Sequence, residues 1–136
     1  MATILLICLF IIIAGISKSI MDTVDFHFNQ SIFNNIKNKK WRNWFNESEG
    51  WKNKYKDRDP KKGPAFPGST TIFVFITDAW HFFQMIMLSS LFISMTLCLT
   101  ISLSLQWYWF ILIFFALKSL MTLTFELFYS KVWRKN

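Results

Sequence analysis

The chain has 136 residues, enough for one small domain. Hydrophobic residues make up 53% and aromatics 19%, with only 4 Gly and 3 Pro, which excludes a disordered chain and fits helices in lipid better than a soluble domain. The formal charge is +7, and the two cysteines, Cys8 and Cys98, lie inside apolar runs where small apolar filler fits better than a disulfide framework.

The first sixteen positions are almost purely apolar. A secretory leader would carry positive charge ahead of this run, and the first cation is Lys18. The apolar periodicity continues through Ile20, Val24 and Phe28, so the sequence predicts one uncleaved helix over 3–30. At 1.5 Å per residue it is roughly 40 Å long and outruns a hydrocarbon core of about 30 Å, so its C-terminal end projects. Lys18, Asp22, Asp25 and Asn29 form a solvated stripe with a Lys18–Asp22 pair. His27 falls on the opposite side, with Ile20 and Val24, as a buried, hydrogen-bonded imidazole.

Residues 31–69 are rich in Asn, Lys and Trp and end in Pro60, Gly63, Pro64, Pro67 and Gly68. A short interfacial helix is expected over 37–44, and a turn or helix boundary at 47–50. From Trp51 the chain interleaves aromatics and bases. Trp51, Lys52, Lys54, Tyr55 and Lys56 suit anionic lipid headgroups, with rings at the interface and lysines on phosphates. Single-stranded nucleic acid is bound by similar mixtures, but between two membrane spans the lipid reading prevails. Gly68-Ser69-Thr70-Thr71 gives an N-cap signal for a helix over 71–99. The segment 100–106, with Trp107-Tyr108-Trp109, reads as a tight turn at an aromatic belt. A third helix is expected over 106–130, followed by a basic anchor over 131–136. There is no repeat, and no Walker loop, dinucleotide fingerprint, HExxH or GxSxG.

Charge sets the orientation. The N-terminal flank and 100–106 hold no charged side chain, whereas the other flanks hold nearly every Lys and Arg. The positive-inside rule predicts an inner-membrane protein with its N-terminus outside, and with 31–69 and the C-terminus cytoplasmic. Counted from the cytoplasmic helix ends, Lys18, His81 and Lys118 each lie roughly 15–20 Å along their helices. Ionisable groups in lipid are costly, so either the helices project beyond the lipid as a small helical domain or they form a polar cavity at the inner boundary.

Thr77-Asp78-Ala79-Trp80-His81 is its centre. Asp78 and His81 are i and i+3 and share a helix face. The expected polar cluster is His27, Asp78, His81 and Glu126, facing the bundle interior. Asp-x-x-His resembles half of a di-iron carboxylate bundle, but two histidines cannot furnish the histidine-rich membrane type. A single zinc on His27, Asp78 and His81, with Glu126 as a further ligand, is the metal reading. No serine is marked as a nucleophile for acyl transfer.

From Met21-Asp22-Thr23 through Phe26-His27-Phe28, then Trp51 to Lys56, Pro67 to Thr71 and Thr77 to His81, the chain resembles an uncharacterised family of small bacterial multi-span membrane proteins. The resemblance covers about 15–83 and carries no activity. It implies that the His27, Trp51–Lys56 and Thr77–His81 segments belong to one design.

The sequence thus predicts an all-α integral membrane protein. It has three transmembrane helices and a basic, aromatic cytoplasmic loop lying on the membrane. Two function classes follow. One is a binding or accessory component whose partners are anionic lipid, further copies of itself or a larger membrane complex. The other is a membrane-interface enzyme, metal-dependent and acting on a lipid phosphate or ester. Three helices rarely enclose a pathway, so transport would need oligomers.

Overall fold

A computed structural model describes residues 2–128, with side chains through 123. Among the described residues the chain is all-α, and its nearest approach to a sheet is one antiparallel bridge, Tyr55 to Pro64. The helices are α1 (Ala2–Phe26), α2 (Lys39–Phe45), α3 (Glu47–Gly50), α4 (Ala79–Ser102) and α5 (Trp107–Phe128), with short 3-10 turns between α1 and α4. Two of them, α1 and α4, are long and apolar enough to cross a membrane. The third expected span is α5, whose described apolar stretch, Trp107–Leu123, is shorter. Ile4, Leu5, Ile11 and Ile12 of α1 are more than half exposed, which a core helix of a soluble protein would not tolerate.

The chain divides into two compact units, Met1–Ile11 with Ser90–Asn136, and Ile12–Ser89. In the first, Ser90, Ser94 and Thr96 are buried. Ser94 Oγ donates to the Ser90 carbonyl at 3.0 Å and lies 3.5 Å from the Ile7 carbonyl of α1. Small hydroxylated residues let helix backbones approach closely and satisfy their own hydroxyls on the preceding turn. The expected turn at 100–106 is a Schellman motif. The Leu105 N–H donates to the Thr100 carbonyl at 2.9 Å and the Ser104 N–H to the Ile101 carbonyl at 3.1 Å. Ser104 takes the left-handed conformation, φ +50°, that closes it.

In the second unit, α1 buries Ala14, Ser17, Met21 and Val24, three and four residues apart, with Phe28 continuing the stripe. The expected Lys18–Asp22 ion pair lies on the exposed side. The predicted helix over 3–30 ends earlier, at Phe26. The His27 N–H makes a last bond to the Thr23 carbonyl at 3.0 Å, and His27 then leaves helical backbone at φ −131°, ψ 20°. The buried position passes to Phe28, and His27 is exposed.

The segment 31–69 is more structured than a loop lying on a surface. The expected 37–44 helix is α2, with Asn38 Oδ1 accepting the N–H groups of Lys40 at 2.9 Å and Trp41 at 3.3 Å. Residues 54–65 close on themselves through Lys56 N–H to Gly63 O at 3.0 Å and Ala65 N–H to Lys54 O at 2.9 Å. Ser69 is fully buried and donates to the Lys54 carbonyl at 2.7 Å. Gly68 sits at φ +81°, where a Cβ would come within 2.8 Å of the Phe73 ring. The hydroxyl expected to cap a helix at 71 therefore closes a loop instead, and α4 begins at Ala79.

Candidate functional site

The start of α4 is fixed by Asp78. Its Oδ1 accepts the His81 N–H at 2.9 Å, the N-cap to N3 bond that satisfies an otherwise orphan donor. The β-branched and aromatic run Ile72 to Ile76 has no such cap and stays in turns and a short 3-10 segment. Two side chains from the preceding segment hold the entry to the helix. Trp44 Nε1 donates to the Ile76 carbonyl at 3.2 Å, and Asn53 Nδ2 to the Thr77 carbonyl at 2.9 Å. Gly50 backs the same point, since a Cβ there would lie 3.0 Å from both Asp78 Cβ and the Trp44 carbonyl.

The same carboxylate holds the imidazole. His81 Nδ1 lies 2.9 Å from Oδ1 and 2.8 Å from Oδ2 of Asp78. Thr77 Oγ1 is 2.7 Å from the Val74 carbonyl and 3.1 Å from Asp78 Oδ2, with one proton for the two acceptors. The Asp78 side chain is 4% exposed and that of His81 26%. Burial pushes the Asp78 pKa up. Hydrogen bonds from the His81 ring and backbone, the His81 charge and the Thr77 hydroxyl outweigh it, and the net shift is downward. With the carboxylate ionised, the proton of a neutral His81 resides on Nδ1 and the lone pair on Nε2.

Among the described residues Nε2 has no hydrogen-bond partner. His81 lines an open depression of ≈420 Å³ with Asp25, Glu47, Trp51, Lys54 and Trp80. The Trp80 ring meets the imidazole edge-on, 5.2 Å between centroids. An imidazole fixed at Nδ1 by a buried carboxylate and open at Nε2 can take up or deliver a proton, or hold an anionic group.

Asp78 and His81 therefore come together as expected, but at a different depth. His81 stands in the first turn of α4 rather than roughly 15 Å along it, because α4 starts eight residues later than 71. The pair stands at the start of one helix. No hydrogen bond, ion pair or ring contact joins exposed His27 to this pair. It lines a separate depression of ≈300 Å³ that also includes Asp25 and Glu47. The Glu126 side chain lies outside the described residues. Among the described residues no group of three or more His, Cys, Asp and Glu could hold a metal ion, so the zinc set His27, Asp78 and His81 is not assembled. The reason is local, since α1 ends before it can carry His27 inward.

The expected headgroup residues are partly committed to one another. Lys52 pairs with Glu49 at 2.8 Å, and Arg58 reaches the same carboxylate at 2.9 Å. The Lys52 hydrogen bond, foremost, holds the Glu49 pKa below its usual range. Trp51 donates to the Ser48 carbonyl at 3.1 Å, and its ring meets that of Tyr55 edge-on. Lys54 Nζ sits 5.6 Å from the Tyr55 ring centroid, a cation–π distance, and Lys56 is exposed.

Comparison with protein-family models, curated proteins and solved structures finds no match to this chain. Trp44, Gly50 and Asn53 were not legible as parts of the site. Their only sequence signal is polarity or smallness next to aromatics, and their roles arise from contacts 24 to 32 residues away along the chain.

Proposed function

We propose that this chain is a small multi-pass membrane protein that acts as a binding or accessory component at the cytoplasmic membrane face, with anionic lipid as its immediate partner. The observation that carries the reading is the pairing of two apolar helices, α1 with much of its apolar surface exposed, with a folded basic and aromatic segment between them. The charge asymmetry of the sequence supports three spans, an outside N-terminus and a cytoplasmic 31–69.

The test uses purified full chain in a neutral detergent, titrated with dioctanoyl phosphatidylglycerol and, separately, dioctanoyl phosphatidylcholine, with tryptophan fluorescence as the readout. The anionic lipid should bind more tightly, and high salt should narrow the difference. Equal affinity for the two lipids would refute the reading.

A second reading rests on a specific observation, the open Nε2 of His81 above a buried carboxylate. In it, His81 acts as a general base on a water beside a lipid ester or phosphate, with Asp78 stabilising the imidazolium. Ester or phosphate release that disappears in His81→Gln while lipid affinity persists would favour it over simple binding.

A further inference from the structure

Another concavity is separate from the His81 depression. It is an open groove of ≈840 Å³ whose walls include Trp41, Trp44, Phe66, Phe82 and Phe83. Among the described residues Lys40 is its one charged lining residue. On α2, Lys40 and Trp44 are i and i+4 and share a face, so a cation and an indole edge the same opening. Phe82 and Phe83 belong to the first turns of α4, the helix long and apolar enough to cross a membrane. The groove is thus walled partly by the end of a span, where acyl chains are at hand.

Charge separates this groove from the 51–62 segment. There Lys52 and Arg58 share Glu49, and Lys62 pairs with Asp57 at 3.0 Å. Residues 31–46 contain no acid at all. Lys37, Lys39, Lys40 and Arg42 are exposed and have no ion pair among the described residues. Trp41 is 56% exposed beside them. Three of these cations lie on α2, and one of them, Lys40, lines the apolar groove. The volume falls within the range of small-ligand sites, about 300–1,000 Å³. A protein partner would need a far broader face.

We propose that the groove takes one acyl chain of an anionic phospholipid, with the headgroup phosphate held by Lys40 at its edge. This rests on the lipid-binding reading above and sharpens it, by moving the headgroup from 52–56 to α2 and giving the chain a seat.

The experiment uses the full chain in phosphatidylcholine nanodiscs. These are doped with phosphatidylglycerol or phosphatidylcholine carrying a diazirine at the acyl end, and adducts are mapped by mass spectrometry after illumination. The glycerol lipid should label Trp41, Phe66 or Phe83 in preference to the choline lipid. Lys40→Glu should lower that labelling by about fivefold or more, fivefold being the equivalent of the ~1 kcal/mol one lysine contributes near an anionic surface. Lys56→Glu, outside the groove lining, should lower it less than Lys40→Glu. Phe66→Asp, at the partly exposed groove edge, should abolish it with helicity retained. Equal labelling by both lipids, or labelling indifferent to Lys40→Glu, would overturn the headgroup assignment. Adducts confined to α1, α5 and the part of α4 beyond Phe83 would overturn the groove as an acyl site. In that case a persisting preference for phosphatidylglycerol in the detergent titration would leave the broader reading standing, and its loss would end both.

Discussion

Asp78 serves two ends with one carboxylate, capping α4 and fixing the His81 ring. Asp78→Ala removes both and should lower stability by about 1–2 kcal/mol through the cap alone, measured by thermal unfolding in detergent. The pH dependence follows from the direction of the shift. The folded pKa lies below the ordinary value of 3.8. The contribution is therefore complete above 3.8 and is lost as the pH falls through the lowered folded value. Asp78→Asn keeps an N-cap acceptor and cannot ionise, so its stability should fall less steeply on acidification than that of the parent chain. Gly50 gives a second case. A Cβ there would press on Asp78 Cβ and on the Trp44 backbone carbonyl, which cannot swing aside. Gly50→Ala should cost about 1–3 kcal/mol, read by the same unfolding measurement. An unchanged midpoint would show that Gly50 does not back the cap. The Asp78–His81 pairing was legible in the sequence as an i, i+3 spacing, although the structure makes it from the N-cap to N3 and not from two helical positions. The exposure of His27 was not, because it depends on where α1 stops, and a continuing 3.6-residue pattern does not mark that end.

Among the elements, the short ones were read better than their edges. The expected 37–44 helix is α2, capped by Asn38, and the expected turn at 100–106 is present with its backbone bonds. The start of the second long helix was misplaced. Ser69 and Thr70 offer the same capping chemistry as Asp78, and propensity cannot choose between them. The choice is tertiary, made by the Ser69 bond to Lys54 and by Trp44 and Asn53 on the residues before Asp78. The 51–56 segment shows a related limit. Its three lysines look equally free in sequence, yet Lys52 is paired with Glu49 and Lys54 sits on the Tyr55 ring once the chain has folded. Changing Lys52, Lys54 and Lys56 together to Gln should therefore weaken binding to anionic vesicles less than changing Lys39, Lys40 and Arg42 together to Gln. Each free lysine near such a surface contributes about 1 kcal/mol. A larger loss from the first triple variant would return the headgroup to 52–56.

At the scale of the molecule, composition and hydropathy announced an all-α chain, and the structure has that class with two helices able to cross a bilayer. Sidedness is argued from charge alone, since Lys and Arg crowd 37–62 and are missing from 100–106. The lipid site, the orientation of His81 and the role of α2 all depend on that sidedness. The direct measurement is labelling with a membrane-impermeant maleimide in a background of Cys8→Ala and Cys98→Ala. Lys61→Cys probes the folded segment, because Lys61 is exposed. Ser104→Cys reports the opposite side. Intact cells should label Ser104→Cys and spare Lys61→Cys, and inverted membrane vesicles should reverse the pattern. Labelling of Lys61→Cys in intact cells would contradict the assignment of the folded segment to the cytoplasmic face.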